Sequence, residues 1–163
     1  MEPATCRPAT LADVAEMARI RDAGGWEGGA GAERMARYLA GEHHPQQALA
    51  PRVIYVAEAG GAMAGFIAGH LTTRFGCDGE LQWIFVLPGL RGAGIADGLF
   101  DRLAAWFAGR GARRVCVNVE PDNPRARTFY ARRGALPMHP YWMVWDDITA
   151  ATDRTSAPGE CDG

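Results

Sequence analysis

The stretch that decides the fold is LQWIFVLPGLRGAGIADGLF, Leu81–Phe100. Its first half is an apolar run that ends at Pro88, which predicts a buried strand. Its second half spaces apolar residues as an amphipathic helix does. An arginine and two glycines, Arg91, Gly92 and Gly94, lie between the two halves. A glycine-containing loop between a strand and a helix exposes backbone N–H groups at the helix N-terminus, so the stretch predicts an anion site of the kind that binds pyrophosphate.

Two common phosphate-binding loops do not fit this stretch. No Gly-Lys pair followed by serine or threonine is present, so the loop is not a P-loop. Asp97 stands where the dinucleotide-binding fingerprint has its third glycine, and a carboxylate there would repel a phosphate. The sequence therefore predicts a phosphate loop of another type.

The chain as a whole has the composition of one globular domain. Its length of 163 residues suits a single sizeable core, and its net charge of −2 gives no electrostatic case for a nucleic-acid partner. No apolar run approaches the roughly 20 residues of a membrane span, and the first residues lack a signal-peptide core. The four cysteines show no zinc-site spacing, so no metal is expected. These features predict a cytoplasmic protein without a membrane partner.

Hydrophobic periodicity predicts an α/β domain over residues 1–148. The expected order is one strand, two helices, three strands, a helix, a strand, a helix and two strands. Gly60 and Gly61 predict a hairpin, while Asn123 followed by Pro124 predicts a helix start. Residues 149–163 are small and polar, so we expect a disordered tail there.

Two motifs, at a matching separation, resemble those of the GNAT superfamily of N-acetyltransferases. That family carries the phosphate-binding signature [Q/R]-x-x-G-x-[G/A], and Arg91-x-x-Gly94-x-Ala96 fits it. The resemblance extends over roughly residues 4–146 and is specific for fold and cofactor rather than for substrate. The second motif, N-x-x-A-x-x-F-Y-x-x-x-G, is met at Asn123, Ala126, Phe129, Tyr130 and Gly134.

The resemblance implies a mixed, mostly antiparallel central sheet of about six to seven strands flanked by helices and splayed between strands four and five. It implies acetyl-CoA in that wedge, with the backbone of Phe85 and Val86 along the pantetheine arm and a strand bulge at those residues. Asn123 and Ala126 would contact the cofactor from the following helix. The pyrophosphate would be held by Arg91, Gly92, Ala93, Gly94, Ile95 and Ala96.

Transfer of an acetyl group to an amine, by direct attack in a ternary complex, needs a base for the ammonium proton and a proton donor for the departing thiolate. By resemblance, Tyr130 is the expected donor, and its free pKa near 10 keeps it protonated at neutral pH. The alternative is that Tyr130 only packs. Glu80 is the expected base, although it could instead attract the ammonium or be a solvated strand end. Gln82 with a water is the next candidate, and His139 and Tyr141 are weaker ones.

The acceptor side is the least specified part of the sequence. Trp26 in its glycine-rich loop, Gln82 and Tyr141 are the expected acceptor contacts. A small-molecule amine is the favoured acceptor, with a protein or peptide N-acetyltransferase as the first alternative and a non-catalytic acyl-CoA sensor as the second. Many relatives dimerise, so a homodimer is also compatible with the resemblance.

Overall fold

The fold is seen in a computed structural model that describes residues 4–24, 31–42 and 48–151. Within these ranges seven strands and four helices follow one another in the predicted order. None of these helices combines the length and apolarity needed to cross a lipid bilayer. The strands are β1 (Thr5–Pro8), β2 (Ala48–Ala59), β3 (Ala62–Thr72), β4 (Gly79–Val86), β5 (Val115–Asn118), β6 (Leu136–His139) and β7 (Trp142–Trp145), and the helices are α1 (Val14–Ala23), α2 (Gly31–Leu39), α3 (Ile95–Gly109) and α4 (Pro124–Arg132).

The strands form one mixed sheet in the order β1-β2-β3-β4-β5-β7-β6. The β4–β5 pair is parallel, and the other neighbouring strands in this sheet are antiparallel. A parallel pair needs a crossover connection, which α3 supplies. The predicted fold class is confirmed, with helices on both faces of a mostly antiparallel sheet.

The two central strands β4 and β5 pair over a short stretch and then diverge. They pair over Gly79–Leu81 and Val115–Val117, and β4 then continues to Val86 while β5 ends at Asn118. Beyond Leu81, β4 pairs with β3 alone among the described strands. The edge of β4 that faces β5 is therefore open, as the predicted splay requires.

The strand bulge of β4 lies at Gln82, so its expected position at Phe85 and Val86 was wrong. Ala68 on β3 pairs with Trp83, and the next β3 residue pairs with Leu81, which leaves Gln82 as the extra residue. A bulge reverses the alternation of side chains beyond it. Residues 80 and 83 thereby come to the same face of the sheet, which strict alternation forbids.

Different helices cover the two faces of the sheet. On one face, α3 packs Leu99, Leu103 and Phe107 into a cluster with Leu81 and Val117. On the other face, α1 and α2 form a second cluster with β2 and β3, which includes Met17, Ile20, Met35, Tyr38 and Phe66. Each large apolar side chain buried in this way contributes about 1.5–3 kcal/mol. The divergence of β4 and β5 lies between these two clusters.

The packed chain continues three residues beyond the predicted domain boundary at 148. A short 3₁₀ turn, Ile148–Ala151, buries both of its end residues. The backbone carbonyl of Ala151 accepts a hydrogen bond of 3.0 Å from the buried guanidinium of Arg133. The rest of the predicted tail, residues 152–163, lies outside the described ranges.

Candidate functional site

A large open cleft, with a volume of about 1890 Å³, lies where β4 and β5 diverge. Helices α1 and α2 border one side of it, and α3 and α4 border the other. It gathers most of the residues that the sequence predicted for cofactor binding and catalysis. Those residues are Glu80, Gln82, Phe85, Val86, Arg91, Gly92, Ala93, Gly94, Ala96, Asn123, Ala126 and Tyr130.

The glycine-containing loop at one end of the cleft has a backbone that its sequence explains. Gly92 has a φ of 86° and Gly94 a φ of 83°, both in the left-handed region that glycine adopts without a Cβ penalty. Gly94 is the N-cap residue of α3 and has no side chain to cap the helix. The first-turn N–H groups of α3 are therefore left for another partner. Ile95 is buried in the core, so its backbone is the part of it available to a ligand.

The charges around this helix end favour an anion. Arg91 and Arg132 both line the cleft. Asp97, the residue expected to repel phosphate, is paired with Arg132 at 3.2 Å and with the buried Arg133 at 3.1 Å. Because two guanidiniums offset this carboxylate, it opposes an anion at the α3 N-terminus less than an unpaired carboxylate would.

The open edge of β4 is held by an unusually close approach of β3. A Cβ added at Gly65 would lie 2.5 Å from the carbonyl oxygen of Phe85 and 3.1 Å from Val86 Cγ2. The ring of Phe85 packs on Phe66, with 5.4 Å between the ring centroids. Gly65 thus permits the close pairing that fixes β4 while its other edge faces the cleft.

Asn123 and Ala126 stand at the start of α4. The Asn123 side-chain Oδ1 accepts a hydrogen bond of 3.2 Å from the Ala126 N–H, and Pro124 occupies the first turn. The asparagine therefore has a structural role as an N-cap. Its Nδ2 makes no hydrogen bond with the described residues, so it is available to a ligand in the cleft.

Tyr130 lies in the last turn of α4, where it both packs and lines the cleft. Its ring is fixed between Phe129 and Trp145, at centroid distances of 5.7 and 5.6 Å. Burial raises the pKa of its hydroxyl above the ordinary value. Tyr130 therefore presents a protonated hydroxyl at neutral pH.

Glu80 is buried and ion-paired, which excludes the solvated strand end considered for it. Glu80 as a whole residue is 4% exposed, and it lines the cleft. Arg74 Nε donates to Glu80 Oε1 at 3.1 Å, and His70 Nε2 lies 3.6 Å from the same oxygen. Both contacts fall on Oε1, and no described side chain donates a hydrogen bond to Oε2. A buried carboxylate with one occupied and one available oxygen can take part in proton transfer or in substrate binding.

The turn between β3 and β4 places Arg74 beside Glu80. Phe75 has a φ of 56°, a left-handed conformation that is costly for a residue with a Cβ. Its ring packs on His139 and Trp142, with centroid distances of 5.0 and 4.9 Å. The Arg74 guanidinium also lies over the Trp142 ring, 4.9 Å from its centroid. Aromatic contacts thus stabilise the strained turn that presents the arginine.

Besides Ile95, two predicted residues do not line the cleft in the described structure, and a third lies outside it. His139 packs on Phe75 instead of lining the cleft. Tyr141 is 52% exposed and does not line the cleft. It is joined to two lining residues, because Trp142 follows it in the chain and its backbone carbonyl accepts a hydrogen bond of 2.8 Å from the Val119 N–H. Trp26 lies outside the described residues.

Several cleft residues were missed by sequence reasoning. Arg74 and Trp142 carry no motif, and their closeness to Glu80 depends on two separate turns. The position of Asn118 could have been predicted, because side chains alternate along β5 and Asn118 therefore lies on the face opposite Val117. The remaining missed residues include Arg21 on α1 and Arg34 on α2, which also line the cleft.

Comparison with known families identifies the architecture. A family model described as the acetyltransferase (GNAT) family matches residues 26–135, which is more than half of the chain. A match of this extent covers the predicted phosphate loop, the open strand β4 and the whole of α4.

Relatives and solved structures agree with this family. An uncharacterized N-acetyltransferase of Mycobacterium tuberculosis is 42% identical over 57 residues, which are 35% of this chain and 36% of that protein. The match thus spans about a third of the relative's length. The PaiA N-acetyltransferase of Thermoplasma acidophilum, solved with coenzyme A, superposes with a TM-score of 0.64 at 16% identity and covers 90% of this chain and 99% of that chain. A chimeric spermidine N-acetyltransferase built from Vibrio cholerae and hSSAT sequences gives 0.66 at 13% identity, with 94% and 100% covered. At such identities the superpositions show a shared fold.

Proposed function

Because the chain belongs to the acetyltransferase (GNAT) family, we propose that it is an acetyl-CoA-dependent N-acetyltransferase that modifies a primary amine of a small molecule. One observation carries this proposal. A single cleft joins an uncapped helix N-terminus, a protonated tyrosine hydroxyl and a buried carboxylate, contributed by α3, Tyr130 and Glu80. These are an anion site for the cofactor, and the proton donor and proton acceptor that amine acetylation requires.

The residues on the α3 side of the cleft fit coenzyme A. The loop 91–96 offers first-turn N–H groups and the Arg91 guanidinium to the pyrophosphate. The open edge of β4 at Phe85 and Val86 offers backbone groups to the pantetheine amides. Asn123 and Ala126 border the same space from α4. When bound, acetyl-CoA supplies the acetyl thioester.

Tyr130 is the proposed proton donor to the sulfur. Its hydroxyl is kept protonated by burial, which raises its pKa. The flanking Phe129 and Trp145 rings fix the side chain, so the hydroxyl oxygen is held in one place. Packing and proton donation are therefore compatible roles for the same residue.

Glu80 Oε2 is the proposed acceptor of the proton from the amine, directly or through a water beside Gln82. The ion pair with Arg74 weakens the alternative in which Glu80 attracts an ammonium, because one guanidinium already offsets its charge. The side-chain oxygen of Gln82 is buried without a hydrogen-bond partner among the described residues, so it can hold a water or an acceptor N–H. Trp26 and Tyr141 remain proposed acceptor contacts on the evidence of the sequence.

The test is thiol release from acetyl-CoA with a panel of amines: spermidine, tyramine, an amino sugar, free amino acids and short peptides. Turnover of a small amine at a higher kcat/KM than any peptide is the expected result. A preference for peptides would replace the small-molecule acceptor with a protein or peptide N-terminus. Acetyl-CoA binding by calorimetry, with no turnover of any amine, would favour the sensor alternative.

The role of Glu80 is tested by the pH profile of Glu80→Gln. A base predicts that kcat of the variant is low at neutral pH and recovers as pH rises, because free amine then forms without it. An electrostatic anchor predicts a raised acceptor KM wherever the amine is charged. If neither parameter changes, Gln82 with a water becomes the candidate base.

A further inference from the structure

A buried polar chain leads from the second helix to Glu80. The Tyr38 hydroxyl lies 2.9 Å from His70 Nδ1, and His70 Nε2 lies 3.6 Å from Glu80 Oε1. Tyr38 and His70 are fully buried, and Glu80 is nearly so. Polar groups are costly to bury unless they are paired, so three of them in contact indicate a specific arrangement.

The strand register places the members of this chain together. His70 and Glu80 are direct cross-strand partners on β3 and β4. Tyr38 reaches them from α2, and its ring packs on Trp83 at a centroid distance of 4.9 Å. The Gln82 bulge brings Trp83 to the same face as Glu80, so the three residues are held on two strands and one helix.

The two ring nitrogens of His70 have different neighbours, and these favour a proton on Nε2. Burial raises the pKa of the Tyr38 hydroxyl, which is therefore protonated and can donate to Nδ1. At the other end of the ring, Nε2 is buried without a hydrogen-bond partner among the described residues and faces a carboxylate oxygen. A lone pair on Nε2 would be repelled by that oxygen, whereas an N–H there is attracted.

We propose that Tyr38 and His70 are positioning residues for Glu80. Tyr38 donates to Nδ1 and so holds His70 in the Nε2–H tautomer, and this N–H acts with Arg74 to fix Oε1. Oε2 is then turned toward the cleft. The separation of 3.6 Å is longer than a hydrogen bond, so the contact is electrostatic in this conformation and a shift of about 0.5 Å closes it.

The catalytic consequence rests on the proposed acetyltransferase function, whereas the tautomer does not. The first experiment is therefore ¹⁵N NMR of the ligand-free full chain, with the His70 ring signals identified by their loss in His70→Gln. The expected result is the Nε2–H tautomer. We expect Glu80→Gln to shift the Nε2–H signal and Tyr38→Phe to shift the Nδ1 signal. An Nδ1–H tautomer, or signals that neither variant moves, would overturn the proposal even if the protein acetylates amines.

The second experiment is the kinetics of Tyr38→Phe, which removes a single hydroxyl and avoids the folding risk of His70→Gln. With the panel amine that the wild-type protein acetylates fastest, kcat should fall on the order of tenfold, less than the 10² or more of a lost base. The KM for acetyl-CoA should stay unchanged, because its proposed site is on the α3 side. The matched control is Tyr55→Phe. Tyr55 is also buried, and its ring lies against Arg102. A wild-type kcat in Tyr38→Phe would refute the positioning role.

If no amine is turned over, the proposed function fails and the NMR arm still decides the tautomer. If amines are turned over and the NMR signals do not respond, the function stands and the positioning role fails. The two failures are therefore distinguishable.

Discussion

The guanidinium of Arg74 and the carboxylate of Glu80 form a partly buried ion pair, with 3.1 Å between Nε and Oε1. The side chain of Glu80 is 6% exposed and that of Arg74 is 17% exposed. A charge removed from water to this extent is destabilising unless a charge of opposite sign offsets it. The pair therefore contributes both to the stability of the β3–β4 connection and to the position of the Glu80 carboxylate.

Arg74→Met should lower the free energy of unfolding by about 2–3 kcal/mol, because it leaves Glu80 buried without its guanidinium. The double variant Arg74→Met/Glu80→Gln should recover more than half of that loss, since no unpaired charge then remains. Urea unfolding of the two single variants and the double variant measures the coupling. Arg114→Met removes an exposed pair with Asp146 and serves as the control, with an expected loss below about 1 kcal/mol. Strict additivity of the two buried changes would contradict the prediction.

Ala96→Asp should abolish acetyl-CoA binding. It puts a carboxylate in the first turn of α3, beside the N–H groups proposed to hold the pyrophosphate. Isothermal titration calorimetry measures the loss. Ala105→Asp adds the same charge to an exposed site later in the same helix and should bind as the wild type does. Unchanged affinity in folded Ala96→Asp would show that the loop assignment is wrong.

Tyr130→Phe should reduce kcat on the order of 10²-fold and leave the KM for acetyl-CoA little changed. The substitution keeps the ring between Phe129 and Trp145 and removes only the hydroxyl group. Steady-state kinetics at saturating acceptor measures both parameters. The control is Tyr55→Phe, at a buried tyrosine that does not line the cleft. A change restricted to KM would make Tyr130 a binding residue.

Asp13→Asn should lower the free energy of unfolding at neutral pH, and the decrease should be smaller at acidic pH. A bidentate pair with Arg7, with both N···O distances 2.8 Å, lowers the pKa of Asp13 from 3.8 to about 2. Because the folded-state pKa is the lower one, the stabilisation is present above pH 3.8 and is lost as pH falls toward 2. The shift corresponds to about 2 kcal/mol at neutral pH and about half of that near pH 3. Urea unfolding of both proteins at pH 6 and pH 3 measures the difference, and a pH-independent difference would refute the ion-pair explanation.

Two truncations test where the folded domain ends. Cys6 is disulfide-bonded, so the comparison is made in reducing buffer. There, deletion of residues 152–163 should leave the melting temperature almost unchanged, as their polar composition predicts. Deletion of residues 149–163 should cost about 1–2 kcal/mol, because the buried guanidinium of Arg133 loses the Ala151 carbonyl. Differential scanning calorimetry compares the two. Equal melting temperatures would show that the turn at Ile148–Ala151 contributes little.

The sequence by itself determined the elements, their order and the glycine-containing loop before α3. Each of these is a local property: alternation for strands such as β5, helical spacing for α3, a side-chain cap and proline at Asn123 and Pro124, and glycines where φ is positive. The resemblance supplied the splay of the sheet, and the structure confirmed it. Glu80 and Tyr130 were also found from the sequence, because each stands at a fixed distance from a local motif.

The tertiary structure alone decided the surroundings of those residues. The pairing of Glu80 with Arg74 depends on a left-handed Phe75 held by His139 and Trp142, which are remote in sequence. The contact of Glu80 with His70 depends on strand register, and the face shared with Trp83 depends on the bulge at Gln82. Register and bulges are set by packing between strands and helices far apart in the chain, so no short-range pattern encodes them. For this reason the sequence predicted an exposed or a catalytic glutamate equally well, and only the folded chain showed a buried ion pair.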